Sequence, residues 1–263
     1  MTSVSLDAGL GNGLRGAFRV WRRDAVVYKH TAKWLLIPNF LDPVLFLLAL
    51  GLGLGAFFTE VGGLRYIEFL APGLIASSTM YTASFESTWN IHFKIEQHHT
   101  YDAMLAAPLS PGDIVVGEVA WSATRATLTG VIFFVVTAAF GLVGSWWSLF
   151  TPFVVVLVGV NFAALGLLAA AYVLDLGFWG YYYTLIITPM FLLSGVFFPL
   201  DTLPQWVQAL ANAMPLYHAA ALLRELSFGA VGWLSLAHAV FLVIVPLVLI
   251  PLAIRRLAAR LTN

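Results

Sequence analysis

Residues 187–229, ITPMFLLSGVFFPLDTLPQWVQALANAMPLYHAAALLRELSFG, form an apolar stretch that proline and glycine interrupt without making it hydrophilic. Pro199, Pro204 and Pro215 each interrupt or begin a helix, because proline lacks the amide proton that a helix interior needs. The pattern predicts a pair of short helices within 199–230. Irregular backbone at membrane depth must be shielded by protein or by a water-lined cavity. We therefore expect this pair to lie on the membrane surface or to dip back into it.

The two short helices are predicted from spacing and from their end signals. The first has an apolar face at helical spacing, made of Leu203, Trp206, Val207, Leu210 and Met214. The second opens at Pro215, closes at Gly229 and carries only Arg224 and Glu225 as charges.

The composition identifies the class of protein. Of the 263 residues 60% are hydrophobic and only 10% are charged, and the mean hydropathy is +0.89. These values are typical of an integral membrane protein. The absence of cysteine excludes disulfides and thiolate metal sites. No nucleic acid is expected among the partners of this chain.

Six stretches are each close to the ~20 apolar residues that cross the hydrocarbon core. They cover about 35–58, 66–92, 112–141, 148–174, 178–198 and 231–254. The predicted fold is an all-α integral membrane protein with six transmembrane helices, an N-terminal amphipathic interfacial helix and an external re-entrant helix pair before the last span. Residues 1–33 form the tail and interfacial helix, and residues 34–263 form the transmembrane domain.

The interfacial helix is predicted over residues 13–33. Its apolar face comprises Leu14, Phe18, Trp21, Ala25 and Tyr28, and arginines and a lysine lie off that face. A basic helix with aromatic residues on its apolar side suits the headgroup layer, where it lies flat. The alternative is a soluble helix packed on a partner subunit.

Basic residues predict the orientation of the chain in the membrane. With six spans both termini share a side, and ten basic residues fall on that side: Arg15, Arg19, Arg22, Arg23, Lys29, Lys33, Lys94, Arg255, Arg256 and Arg260. Only Arg65 and Arg224 fall on the other. The positive-inside rule therefore predicts that both termini are cytoplasmic and that the helix pair at 199–230 is external.

The longest cytoplasmic connection runs over 93–111. Its first half is compatible with a short helix, and Ser110, Pro111 and Asp113 predict a capping-box start for the third span. Met104, Leu105 and Leu109 are expected to be exposed on it, where a partner could cover them.

Three motifs carry a family resemblance. The stretches LSGVFFPLDTLPQW at 193–206, PLYHAAALLREL at 215–226 and YDAMLAAPLSPGDIVVGEVAW at 101–121 resemble the membrane subunits of ABC-type exporters in the polysaccharide, drug and lipo-oligosaccharide class. Within that class the chain looks most like the nodulation-type lipo-oligosaccharide exporter permeases. Together with the spacing of the spans, the resemblance extends from about Trp34 to the end.

The resemblance implies the partners and several site residues. It makes 93–111 a coupling segment in a groove of a separate ATPase, present in two copies, which binds ATP and Mg²⁺. The candidate contacts to this ATPase are Glu96, His98, Tyr101, Asp102 and Met104. A second permease copy completes a homodimer, or a different permease chain completes a heterodimer. The external motif is represented by Pro215, His218 and Arg224, and His218 is expected to order the external helices.

Charges inside the predicted spans indicate buried interactions, because an ion in a membrane must be paired or hydrated. Glu86 lies in the second span, and Glu118 and Arg125 lie in the third. Since these spans are antiparallel neighbours, we expect Glu86 and Arg125 to meet near mid-membrane, with Glu118 nearer the cytoplasm. The three predict a polar network that either faces the translocation path or holds the two spans together. Asn161 is expected to form an interhelical hydrogen bond.

No catalytic or cofactor site of its own is predicted for this chain. It has no GxxxxGK[ST] phosphate-binding loop and no GxSxG elbow. His92, His98 and His99 are better explained as polar residues than as metal ligands. The chain is therefore expected to be a transport subunit and not an enzyme.

The cargo implied by the resemblance is amphipathic, such as a lipo-oligosaccharide or a lipid-linked glycan, exported across the inner membrane. Sugar rings stack on exposed aromatic faces, so Tyr81, Trp89, Tyr181 and Tyr182 are candidate cargo contacts. A hydrophobic drug or antibiotic is the alternative cargo. A different class of explanation is a proton-coupled secondary transporter that uses Glu86, Glu118 or His238. An inverted repeat would favour that class, and the hydropathy pattern has none.

Overall fold

The computed structural model describes residues 10–53, 55, 57, 60, 61, 63–97, 100–172 and 177–261. Within them the chain is helical apart from a two-stranded hairpin and short connections, which confirms the predicted all-α class. The α-helices are α1 Leu10–Gly53, α2 Tyr66–Phe85, α3 Thr100–Leu105, α4 Pro111–Ala139, α5 Thr151–Ala170, α6 Gly177–Tyr182, α7 Thr188–Leu193, α8 Gln205–Ala211, α9 Pro215–Phe228 and α10 Trp233–Leu261.

Shorter elements join these helices. Strands β1 Glu60–Val61 and β2 Leu64–Arg65 form the antiparallel hairpin. The π-helical turns are Glu86–Asn90, Phe93–Gln97 and Tyr183–Ile187, and the 3₁₀ turns are Trp146–Phe150 and Leu200–Thr202.

The helix ends follow the predicted local signals. Ser110 caps α4 by accepting a hydrogen bond from the Asp113 amide, and the Asp113 carboxylate accepts one from the Ser110 amide at 2.8 Å. This confirms the capping box, with Pro111 in the first turn. Helix α9 begins at Pro215 and ends at Gly229, whose φ of 76° lies in the left-handed region that glycine tolerates best.

Three helical segments of the described chain are long and apolar enough to cross a membrane: Pro111–Ala139, Trp146–Ala170 and Trp233–Arg260. They correspond to the predicted third, fourth and sixth spans. The count of six spans stays a prediction.

Two boundaries differ from the prediction around the second and fifth spans. The helical turns that follow α2 continue to Gln97, five residues beyond the predicted end. The predicted fifth span, 178–198, is helical only to Leu193, after which residues 194–198 bend. Gly195 adopts a φ of 69° in that bend, a backbone conformation that ends a helix.

The N-terminal region also differs from the prediction. A single helix, α1, covers the stretch for which an interfacial helix and a separate span were predicted. Ala17, Val20 and Asp24 form its buried face, and α1 packs mainly against α4. Leu14 and Phe18 of the predicted apolar face are 79% and 57% exposed.

A glycine in α4 allows α1 and α4 to approach closely. A Cβ atom at Gly117 would lie 2.5 Å from Val20 Cβ and 2.8 Å from the Ala17 carbonyl oxygen. Small residues at such crossings bring helix backbones into van der Waals contact, which is the main source of helix association in lipid.

One end of the bundle gathers the two terminal helices and the 93–111 segment. Lys94 Nζ lies 2.8 Å from Asp24 Oδ2 of α1. Arg260 Nη2 of α10 lies 2.7 Å from Glu96 Oε1, and Arg260 also donates to the Ala170 carbonyl at the end of α5. The described ends of α1 and α10 therefore share one end of the bundle with the predicted coupling segment.

Helix α9 closes the opposite end. Arg224 donates to the carbonyls of Phe69 at 3.2 Å and Gly195 at 3.1 Å, which ties α9 to the start of α2 and to the bend after α7. The Gly144 amide donates to the Ser227 carbonyl at 3.0 Å. In the middle of the bundle, Asn161 donates to the Leu242 carbonyl at 2.7 Å, which confirms the predicted interhelical hydrogen bond.

We predict that Gly117→Ala destabilises the protein, because the added methyl group overlaps Val20 and the Ala17 backbone. Overpacking of this kind costs about 1–3 kcal/mol of the free energy of unfolding. The measurement is the thermal unfolding midpoint of the purified chain in detergent.

The matched control is Gly180→Ala in α6, where a Cβ atom would have no neighbour within 4 Å. Alanine also favours a helix over glycine by about 1 kcal/mol, so this variant should be neutral or more stable. Equal midpoints for the two variants would contradict the packing described for α1 and α4.

Candidate functional site

A cluster of charges, all but one of them largely buried, lies where the 93–111 segment leaves the bundle. Lys94 Nζ donates to Asp24 Oδ2 at 2.8 Å and to both oxygens of Glu118, at 2.8 and 2.7 Å. Arg23 Nη1 pairs with the other oxygen of Asp24 at 2.8 Å. These four side chains, named here the Lys94 cluster, join α1, the second π-helical turn and α4.

The local structure explains how these charges come together. Asp24 follows Ala17 and Val20 on the buried face of α1, so its carboxylate enters the bundle. Glu118 is 1% exposed and lies next to Gly117, at the closest approach of α1 and α4. Burial acts to lower the pKa of Lys94. The negative charges of Glu118 and Asp24 have the larger combined effect, so the pKa of Lys94 is raised above its usual value. Lys94 therefore stays protonated, and together with Arg23 it balances the charges of the two carboxylates.

A second ion pair lies further along the same helices. Arg125 Nε donates to Glu86 Oε1 at 3.0 Å, and both side chains are at least nine-tenths buried. Asn90 Nδ2 donates to the other oxygen of Glu86 at 2.6 Å. The Arg125 guanidinium also stacks on the Tyr28 ring, with Cζ 4.0 Å from the ring centroid. The pair therefore joins the π-helical turn after α2 to α4 and, through Tyr28, to α1.

The structure brings Glu86 and Arg125 together, as their positions in antiparallel spans suggest. Glu118 takes a different partner, Lys94, and belongs to the Lys94 cluster. The three charges singled out in the sequence thus lie in two adjacent groups. Since removing one partner of a buried pair leaves an uncompensated charge, both groups strongly constrain how α1, α2 and α4 pack.

The predicted exposure of the coupling segment was wrong for its apolar residues. Met104 is 7% exposed, Tyr101 is 1% exposed, and Leu105 and Leu109 pack against the core. Helix α3 turns Tyr101, Met104 and Leu105 inward, onto the bundle, and Leu109 packs there from the connection to α4. Burial raises the pKa of the Tyr101 phenol well above its usual value, and the charges of Glu118 and Asp24 raise it further. Tyr101 therefore lies, uncharged, against the Lys94 cluster.

The other candidate coupling residues have different surroundings. Asp102 is exposed on α3, and Glu96 pairs with Arg260 while 43% of its side chain stays exposed. His98 lies outside the described residues. Only Asp102 and Glu96, of the described candidates, present their side chains to solvent.

The residues of the external motif contact one another and α10. Pro215 begins α9. His218 Nε2 lies 2.9 Å from the Asn212 carbonyl oxygen, and His218 Nδ1 lies 2.7 Å from His238 Nδ1. Burial lowers the pKa of His218, so this ring is neutral at pH 7. His218 therefore joins the α8–α9 connection to α10, and the Arg224 contacts join α9 to α2.

The four candidate cargo aromatics do not form one surface. Tyr182 is 1% exposed and packs edge-on against Trp179, so it is not accessible to a cargo. Trp89 packs against Trp179, and Tyr81 packs edge-on against Phe191. Tyr181 is the exposed member, at 65%.

Two functional candidates were missed by sequence reasoning. Asp24 was hidden in an otherwise basic helix, and Lys94 was treated only as a charge that sets orientation. One signal could have found Asp24: it continues the spacing of Ala17 and Val20, small apolar residues suited to a buried face. No comparable signal exists for Lys94, because its partners are 24 and 70 residues away.

Comparison with known proteins gives the family. The ABC-2 type transporter family matches residues 17–228. The chain is 38% identical over 230 residues to nodulation protein J of Neorhizobium galegae, covering 87% of each chain. It is 40% identical over 211 residues to nodulation protein J of Rhizobium leguminosarum bv. trifolii, covering 80% of each.

A more distant relative extends the comparison beyond nodulation proteins. The chain is 25% identical over 203 residues to the inner membrane transport permease YadH of Escherichia coli (strain K12), covering 76% of this chain and 77% of that protein. The family match over most of the chain, together with these relatives, shows that this protein belongs to the ABC-2 type transporter family of membrane permeases.

Proposed function

We propose that this chain is the permease through which an ATP-driven exporter moves an amphipathic cargo out of the cytoplasm. A lipo-oligosaccharide or another lipid-linked glycan is the cargo class, on the strength of the similarity to nodulation protein J. The observation that carries the mechanism is the packing of α3, with Tyr101 buried, against the second π-helical turn and α4, which carry Lys94 and Glu118.

The energy comes from a separate subunit. In this proposal two copies of an ABC ATPase bind ATP and Mg²⁺ and dock beneath a dimer of the permease. Asp102 and Glu96 are the contacts to the ATPase, since their side chains are exposed on the 93–111 segment. Tyr101 and Met104 act differently: they hold α3 on the bundle.

The Lys94 cluster transmits the movement of α3 to the membrane helices. Three chain segments converge on one lysine, so a displacement of α3 and Lys94 also displaces α1 and α4. Well-packed interfaces are bistable and do not deform continuously, so a small shift at the coupling segment can move the bundle between two states. One closure of the ATPase pair would move both permease copies.

The orientation proposed is an inner-membrane protein with both termini cytoplasmic. Its support is the excess of basic residues on one side and the shared end of α1, α10 and the 93–111 segment.

The orientation can be tested with single cysteines, because the natural chain has none. Ala103→Cys is exposed on α3, and Ala213→Cys is exposed at the opposite end, after α8. In cells with a permeabilised outer membrane, an impermeant maleimide should label Ala213→Cys. It should label Ala103→Cys only once the inner membrane is opened. The reverse pattern would invert the proposed orientation.

The proposed function is tested by transport in liposomes. The chain and its ATPase should move a fluorescent lipo-oligosaccharide only while ATP is hydrolysed, and a protonophore should not abolish transport. Uphill transport by the chain alone would refute the proposal, as would transport that follows the proton gradient. If a hydrophobic antibiotic is moved and the lipo-oligosaccharide is not, the cargo is a drug.

A double-substitution experiment separates two roles of the Glu86–Arg125 pair. Arg125→Leu leaves Glu86 buried without its cation, which should reduce the free energy of unfolding by about 3–5 kcal/mol and abolish export. Glu86→Leu combined with Arg125→Leu removes both charges and should recover most of the stability. Thermal unfolding and transport are measured for both variants.

The transport result for the double variant decides the role. Recovered export means that the pair serves packing, and a stable double variant without export means that the charges act in the pathway. Normal export by the single Arg125→Leu variant would contradict both roles.

A further inference from the structure

A cavity of about 440 Å³ lies between α1, the π-helical turns after α2, and α4. Its size falls within the ~300–1,000 Å³ typical of small-molecule sites. The lining residues that matter here are Arg23, Asp24, Tyr28, Phe93, Trp121 and Arg125. Thr100, the first residue of α3, also contributes to the lining, so the cavity adjoins the coupling segment.

The charges around this cavity compensate one another. Three cations face three carboxylates in the pairs Arg23–Asp24, Lys94–Asp24, Lys94–Glu118 and Arg125–Glu86, with distances of 2.7 to 3.0 Å. A charged ligand in this cavity would have no unpaired charge of opposite sign to bind, because each side-chain charge already has a partner. Since a buried ion without a partner is strongly disfavoured, the cavity selects for an uncharged ligand.

Two polar atoms of the lining residues still lack a partner. Within the described chain, Arg125 Nη1 and the Tyr28 hydroxyl have no hydrogen-bond partner. The Arg125 side chain is nine-tenths buried, and its guanidinium lies over the Tyr28 ring. Both atoms are shielded from solvent, and both residues line the cavity, so a ligand oxygen reaches the two donors from the cavity side after a small shift of these side chains. An acceptor on the ligand would supply the partner that each donor lacks.

Another part of the lining is apolar. Phe93 and Trp121 contribute aromatic rings, and Val27 contributes an aliphatic side chain. An aromatic surface beside a few fixed donors suits a ligand with apolar faces and hydroxyl or carbonyl edges. A sugar ring, or an N-acylated sugar, has this combination.

We infer that this cavity receives the uncharged, hydroxyl-rich head of the cargo, with Tyr28 and Arg125 as its hydrogen-bond donors. This inference rests on the proposed function and names the part of the cargo that the permease recognises. It also places that recognition beside α3, so a bound head contacts the same helices that the coupling segment moves.

Binding to the full-length chain in lipid nanodiscs tests the inference. The probe is a fluorescent alkyl maltotrioside, and the competitor is an alkyl phosphate of the same chain length. Tyr28→Phe removes one hydroxyl, and Arg125→Lys removes Nη1 while keeping the positive charge opposite Glu86. Each should weaken binding of the maltotrioside about two- to tenfold, the effect of one hydrogen bond.

The control is Tyr172→Phe, the same change at an exposed tyrosine at the end of α5, outside the cavity. It should bind the probe like the natural chain. All variants are compared at equal folded fraction, which is measured by thermal unfolding. Tyr28→Phe is the least disruptive of the substitutions because it deletes only the hydroxyl oxygen.

The outcomes separate this site from the proposed function. Unchanged binding by both cavity variants, or tighter binding of the alkyl phosphate than of the maltotrioside, would overturn the site even if ATP-driven export stands. Conversely, weakened binding by both variants supports the site, and would do so even if the complex with the ATPase exports no lipo-oligosaccharide.

Discussion

The architecture depends on the ion cluster around Lys94. A lysine and two carboxylates, Asp24 and Glu118, are brought together from three segments in a region where an unpaired ion is strongly disfavoured. None of the three can move alone without exposing a charge to apolar surroundings. The cluster therefore holds α1 and α4 together at the point where the 93–111 segment leaves the bundle.

Packing and charge act on the same contact. Gly117 lets α1 approach α4 closely, and at this approach Asp24 lies within hydrogen-bond distance of Lys94. The neighbouring Glu86–Arg125 pair adds a second link, between α4 and the π-helical turn that follows α2. At the opposite end the links are hydrogen bonds that Arg224 and His218 donate to backbone carbonyls. The two ends are thus held by different chemistry, and only the first contains the coupling segment.

Sequence reasoning succeeded where the signal is local. The capping box at Ser110, the start of α9 at Pro215 and its end at Gly229 depend on a few neighbouring residues, and all three were confirmed. It failed for Met104, because the surface that covers the apolar face of a short helix is formed by distant residues and is not visible in the local sequence. It also divided α1 into two elements, since its change from amphipathic to apolar composition resembles a boundary.

By itself, the sequence determined the all-α membrane class, the positions of the most apolar helices and the family, because these follow from composition, periodicity and contiguous motifs. It also identified Glu86 and Arg125 as candidates for a buried interaction, because both are charged residues within apolar spans. Only the tertiary structure decided their partners, the role of Asp24 and the cavity beside Tyr28. The physical reason is that a buried charge or cavity is defined by atoms from distant segments, and no local pattern encodes which segments will meet.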